Sequence, residues 1–305
     1  MDCKAPILAA MPALAPAPRP RWRTAAVVLA SALLLQACSA VRLAYQQVPQ
    51  LAAWQIHRHL DLTDTQQDQV REALNELHQW HRDTMLPRHA RLLQQVQQQL
   101  PGDVTAEQAC ATYADVRTQL DRVIAQAEPR LVWLASQLTA GQIRHLQKKQ
   151  ADSNADWKKE WLDPTPGQRR ELRYERLLSR AESFYGPLEP PQKALLREFI
   201  ARQSTWDPQH TYAERLRRQQ DLVQVLEQIA QDRANIAQAR TLLRGYLNRL
   251  NTSPDATYES AARQWVEEGC AAFAQLHNAM TDAQRLKAVQ SVKGYERDFW
   301  VLAGR

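Results

Sequence analysis

An apolar residue, a threonine, two further residues and a glutamine recur along this chain, and that pattern limits the fold more than any other feature. It stands at Leu62-Thr63-Asp64-Thr65-Gln66, at Leu138-Thr139-Ala140-Gly141-Gln142 and at Met280-Thr281-Asp282-Ala283-Gln284, with looser copies beginning at Pro164 and Leu188. A threonine at a helix N-cap accepts from the amide three residues on, and a glutamine at that third position reaches back to the cap amide. The apolar residue before the threonine sits where a hydrophobic staple belongs. Each copy therefore predicts a helix start. The chain has only eight glycines in 305 residues and is rich in Gln, Leu, Ala and Arg. Few glycines and many helix formers agree with the caps, and the expected fold class is all-α.

The spacing of apolar residues fills in the helices. After Leu62, the positions Val70, Ala73, Leu74, Leu77 and Trp80 fall on one face. A short helix over 41–60 is interrupted near Pro49, Pro87 kinks or restarts the next, and Leu92 to Leu100 ends at the breaker Pro101-Gly102. A helix from about Ala106 is expected to break at Pro129, and a long stretch over 208–251 near Asp232. Two last helices cover about 256–279 and 282–300.

Part of the chain matches itself. At an offset of 126 residues Leu62 pairs with Leu188, Gln66 with Gln192, Val70-Arg71-Glu72 with Leu196-Arg197-Glu198, and Trp80 with Trp206. Ala109-Cys110-Ala111-Thr112-Tyr113-Ala114 matches Gly269-Cys270-Ala271-Ala272-Phe273-Ala274 at an offset of 160. This predicts an elongated multi-helix body of two related helical modules, residues 61–163 and 164–305. Cys110 and Cys270 are candidates for a disulfide between them, with two buried free thiols as the alternative. Neither lies in a C-x-x-C, which argues against a metal or redox site.

The first 37 residues read as a targeting segment. Arg19, Arg21 and Arg23 precede an uncharged run from Thr24 to Leu35, which is too short to span a bilayer. The run ends in Leu33-Leu34-Leu35-Gln36-Ala37-Cys38-Ser39, which resembles the lipobox of bacterial lipoproteins. Met11 is an alternative start, and a signal anchor or a cleaved, unlipidated peptide is the alternative to lipidation. The resemblance implies a signal peptide over 1–37, a diacylglycerol and an N-acyl (palmitate-type) chain on Cys38, and a lipid-anchored segment over 38–60. With Ser39 rather than Asp after the cysteine, it also implies the periplasmic face of a Gram-negative outer membrane. Cleavage would remove Lys4, three arginines and Asp2, lowering the formal net charge from +6 to +3. That is no nucleic-acid footprint.

Two further resemblances concern the body. The Leu-Thr-x-x-Gln copies resemble those of the small periplasmic chaperones of the Spy-like class, which are all-helical cradles. The lipobox, Tyr45, Trp54, Leu62 to Gln66 and the stretch Trp80-His81-Arg82-Asp83-Thr84-Met85-Leu86-Pro87-Arg88-His89-Ala90 together resemble an uncharacterised group of proteobacterial outer-membrane lipoproteins. That group implies location and fold but no activity.

Catalytic and metal signatures are sparse. The scattered glycines form no G-x-G-x-x-G, Walker or G-x-S-x-G motif. His57, His59, His78, His81 and His89 cluster in sequence near Glu76, yet H-E-x-x-H is absent. Surface or aromatic-stacked histidines are the simpler expectation. Arg169, Arg170, Arg173, Arg176 and Arg180 form a basic helix face around Tyr174, either solvated and balanced by glutamates or in contact with lipid phosphates or anionic glycans. The expectation is a non-enzymatic binding or scaffold lipoprotein without a small-molecule cofactor, partnered by the membrane and an envelope protein. Trp80, His81, Arg82 and Pro87 are candidate partner-binding residues. The alternative is a chaperone-like lipoprotein holding unfolded envelope proteins.

Overall fold

The computed structural model describes residues 41–202, 206–233 and 235–305. Among these residues the chain forms eleven α-helices, one π turn and no strand. In order they are α1 (Val48–Leu60), α2 (Asp64–Trp80), the π turn His81–Met85, α3 (Leu86–Gln99), α4 (Ala106–Gln137), α5 (Ala140–Trp161), α6 (Pro166–Tyr185), α7 (Pro190–Arg202), α8 (Pro208–Gln231), α9 (Ile236–Asn251), α10 (Ala256–Asn278) and α11 (Asp282–Leu302). None is long and apolar enough to cross a membrane.

The caps do what the sequence requires of them. Thr63, Thr139, Thr165 and Thr281 each form a complete reciprocal capping box with the glutamine three residues on. At the fifth copy the Glu189 amide donates to Gln192 Oε1 at 2.8 Å. A sixth box, Val104-Thr105-Ala106-Glu107-Gln108, opens α4 in the same way and is not among the copies singled out above.

The prolines behave differently from one another. Pro87 follows the π turn, in which the Leu86 amide bonds to His81 O, and the wider turn absorbs the missing proline N–H without ending the helical path. Pro129 was expected to break a helix, but α4 runs through it. Packing outweighs the local penalty there. Glu128 is held by Arg244 of α9 at 2.7 Å, Arg130 by Glu76 of α2 at 2.8 Å, and Val132 and Ala135 one turn later are buried.

Two hydrophobic cores result. The first gathers Leu62 and Val70 with Val132, Ala135, Leu138, Ile143 and Leu146, and adds Val223, Leu226, Ile229 and Leu243 from α8 and α9. The second gathers Tyr174, Tyr185, Leu188, Leu196 and Ile200 with Leu276, Met280, Ala288 and Val292, and adds Leu93, Val96 and Leu100 from the end of α3. Residues 61–163 and 164–305 therefore each contribute to both cores. The two segments exchange parts: α3 crosses to the second core, and α8 with α9 crosses to the first.

Each core is closed by the same device. In the first, Gln142 Nε2 donates to Gln66 Oε1 at 2.6 Å and to Asp61 O at 3.1 Å, while Gln66 Nε2 donates to Gln137 O at 3.1 Å. In the second, Gln192 Nε2 donates to Gln284 Oε1 at 2.7 Å and to Ala279 O at 2.9 Å, while Gln284 Nε2 donates to Pro187 O at 2.9 Å. Each glutamine caps its own helix and bonds the carbonyl just before its partner's motif. These are pseudo-twofold clasps, and the pairing of Gln66 with Gln192 found in sequence is their equivalence in space.

The first described residues are tied to the last helix. Arg42 pairs with Asp298 at 2.7 Å, and that carboxylate is only 2% exposed. Arg82 Nε donates to Leu302 O at 3.0 Å.

Candidate functional site

The main concavity among the described residues is a groove of about 1090 Å³ where α4, α6, α7 and α10 meet the ends of α3 and α5. Its size lies at the upper end of the roughly 300–1,000 Å³ usual for ligand pockets. The disulfide forms part of its wall. Cys110 of α4 and Cys270 of α10 are bonded, joining a helix whose C-terminal end lies in the first core to one whose C-terminal end lies in the second.

The lining is mostly aromatic and aliphatic, with Gln99, Thr112, Thr211 and Gln275 among it. Leu177, Ala181, Phe184 and Tyr185 come from α6, Leu196 and Phe199 from α7, and Trp265, Gly269 and Phe273 from α10. Tyr113 and Val116 of α4 face them, with Trp161 and Trp206 at one side. Tyr113, Val116, Trp265 and Phe273 are between 38% and 52% exposed, so the groove opens on a wide apolar mouth. Capping and core packing explain why these helices form, but neither requires large apolar side chains in water. Clustered exposed apolar surface of this kind makes the groove the candidate site.

Three guanidinium groups join that lining: Arg173, Arg176 and Arg180. Spaced by three and four on α6, they share one helix face. Arg173 lies over the Trp206 ring at 4.7 Å and Arg176 over the Trp161 ring at 5.0 Å. Burial pulls the Arg173 pKa down and the charge of Glu268 opposes that; a guanidinium stays protonated through such a shift. Arg176 also pairs with Glu160. No aspartate or glutamate lines the groove. Of the remaining members of the basic face, Arg169 is spent on the loop before α6, donating to Leu162 O at 3.4 Å and to Pro164 O.

One side of the groove rests on a residue that sequence alone does not flag. His277 is 0% exposed, and its Nε2 meets Gly102 O at 3.0 Å while its Nδ1 meets the Tyr185 hydroxyl at 2.9 Å. A carbonyl can only accept, so Nε2 carries the proton and Nδ1 accepts from the tyrosine. Burial lowers the His277 pKa and keeps the ring neutral. Asn278 beside it receives the Val104 amide at 2.8 Å and donates to the Val104 carbonyl at 3.1 Å. Together they pin the turn after α3 against α10.

The sequence matches the Family of unknown function (DUF6279) over residues 58–249. The chain belongs to that family. Comparison with curated proteins and with solved structures gave no match. The DUF6279 match contains the first glutamine clasp and Gln192, and ends inside α9. Cys270, His277 and Gln284 lie beyond it.

The residues singled out in the DUF6279 chain are distributed as follows. Cys38 and the whole segment 1–37 lie outside the described residues. Trp80, His81, Arg82 and Pro87 sit at the π turn and contact the chain itself. His81 Nδ1 meets the Tyr45 hydroxyl at 2.8 Å, Arg82 holds the end of α11, and Pro87 is buried beside Met85 and Leu86. His78 Nε2 donates to Tyr45 O at 3.1 Å, and the His81 and His89 rings lie 5.4 Å apart. Burial, reinforced by His89 and His78, pulls His81 down to about 4. This cluster fixes Tyr45 on α2 and the π turn. Among the described residues no group of three or more His, Cys, Asp or Glu side chains is placed to hold a metal ion, and Glu76 faces Arg130 rather than the histidines.

Proposed function

We propose that this DUF6279 chain is a non-catalytic binding protein of the bacterial cell envelope, lipid-anchored through Cys38 at the periplasmic face of the outer membrane. The observation that carries the binding role is the groove: a wide apolar concavity, stapled at its wall by a disulfide and fringed by three arginines. A cross-linked pair of cysteines suits an oxidising compartment, and the lipobox resemblance supplies the anchor.

In-cell crosslinking followed by purification tests this, alongside metabolic labelling with tagged palmitate. The expected result is palmitate label that disappears in Cys38→Ser, and a discrete set of groove-dependent crosslinks. A broad spread of maturing outer-membrane proteins would favour the chaperone-like alternative, which the Leu-Thr-x-x-Gln resemblance supports. Absence of label and of any crosslink would overturn the proposal.

A further inference from the structure

We infer that the occupant of the groove is an anionic amphiphile, with an acyl chain along the aromatic trough and a carboxylate or phosphate on Arg173, Arg176 and Arg180. The inference rests on the groove being a binding site, as proposed above, and names what it binds.

Charge supplies the first reason. Three cations from one face of α6 border an apolar groove whose lining contains no acidic residue. Arg176 has Glu160 and Arg173 feels Glu268, whereas Arg180 has no ion-pair partner among the described residues. Guanidinium groups beside low-dielectric surface bind an anionic head more strongly than they would in open water. Arg173 and Arg176 are already held flat over indole rings, so little side-chain freedom is lost on binding.

Backbone chemistry supplies the second reason. An unfolded polypeptide carries an amide and a carbonyl at every residue, and each must be paired when buried. The walls are helices, whose backbone groups are already used, and the side chains along the trough are mostly aromatic and aliphatic, with Gln99, Thr112, Thr211 and Gln275 too few to pair every group of a buried strand. An acyl chain makes no such demand. The groove thus suits a molecule that is apolar along its length and charged at one end.

The test uses the full-length protein and displacement of a fluorescent fatty acid below its micellar concentration. Oleate and lysophosphatidylglycerol are the anionic probes, and monoolein carries the same chain length without charge. Both anions should displace the reporter, monoolein about tenfold less well, as the loss of a charge-assisted contact implies. Their relative order identifies the head as carboxylate or phosphate. Arg180→Gln changes an exposed residue and should narrow the gap between oleate and monoolein. Gly269→Trp should abolish binding of both, because a Cβ at Gly269 meets nothing within 4 Å and the indole has open space to fill. Val116→Glu, at an exposed position on the opposite wall, should repel oleate without unfolding the protein. A thermal melt of each variant checks folding. Equal displacement by oleate and monoolein would overturn the proposal, as would normal binding by folded Gly269→Trp. Displacement by a reduced, unfolded peptide but by no lipid would overturn the lipid assignment while leaving the binding function standing. Loss of crosslinked partners as well would remove both.

Discussion

The two glutamine clasps use the same hydrogen bonds in different surroundings. In the first, Gln66 and Gln142 are 76 residues apart and close a core whose buried members are Val, Leu, Ile and Ala, with Trp133 and Tyr246 packed against it. In the second, Gln192 and Gln284 are 92 residues apart, and their core includes Tyr174 and Tyr185 with Phe184 and Phe199 packed on it. Tyr185, Leu196 and Leu276 are members of that core and also line the groove. A shared local device therefore sets the architecture. The buried tyrosines of the second core, and the space between α4, α6, α7 and α10, set where the groove lies.

The strongest way to break this pairing is to cut the staple that joins them. Replacing Cys110 and Cys270 by serine removes a link between cysteines 160 residues apart, with an expected loss of up to about 5 kcal/mol on the chain-entropy account. Denaturant unfolding should then show the groove side melting first. A single unchanged transition would mean that packing alone holds the cores together.

Breaking each clasp in turn asks whether they are equivalent. Gln142→Leu takes a donor from Asp61 O and leaves Gln66 Oε1 with the Thr63 amide alone, and Gln284→Leu does the same to Pro187 O and to Gln192 Oε1, which keeps the Glu189 amide. Each should cost about 1–3 kcal/mol, from the bonds lost across the clasp together with the lost half of the capping box. The double change Gln66→Leu with Gln142→Leu should cost less than the sum of the singles, because both halves of one network are then gone. Unequal losses for the two clasps would show that the groove side is the softer half.

Acid should act through the histidine cluster. The His81 pKa lies at about 4 in the folded chain against an ordinary 6.5, so the unfolded chain binds more protons between those values. The stability this confers is complete above about pH 6.5 and is lost as the pH falls toward about 4. The melting temperature should drop across that window, and His81→Asn should flatten the drop. An identical slope in the variant would place the acid sensitivity elsewhere.

The smallest expected effect is a gain. Gly269 and Gly294 sit inside α10 and α11 with nothing within 4 Å of an added Cβ. Alanine at either should stabilise by about 0.5–1 kcal/mol through helix propensity. Only Gly269→Ala should also alter binding, since only Gly269 lines the groove.

Local signals were readable from sequence wherever local chemistry decides the outcome. The capping boxes and the breaker at Pro101-Gly102 depend on residues a few positions apart, the pairing of Gln66 with Gln192 follows from one such local motif standing at both places, and the all-α class follows from the boxes. Pro129 misleads because its helix is held by Glu76, Arg244 and the first core, none of them local. The basic face of α6 is visible as a spacing, but only packing shows that Arg173, Arg176 and Arg180 share a groove while Arg169 caps a loop. His277 gives no signal in sequence, because its partners Gly102 and Tyr185 are far away along the chain. The exchange of α3 for α8 and α9 is likewise invisible, since helical periodicity shows that a face is buried but not against which partner.

Arg42 grips Asp298 across 256 residues of chain. The first core needs the chain through α9, and the second needs it through α11. Contacts so distant in sequence form late, because the long loop between them must close first. A nascent chain that stops short of α11 would leave Gln192 without its clasp partner and Arg42 without its carboxylate, exposing apolar surface to proteases and chaperones. The α11 helix is thus a latch: it supplies both the partner of Gln192 and the carboxylate that holds Arg42, so losing it would open two distant parts of the body at once.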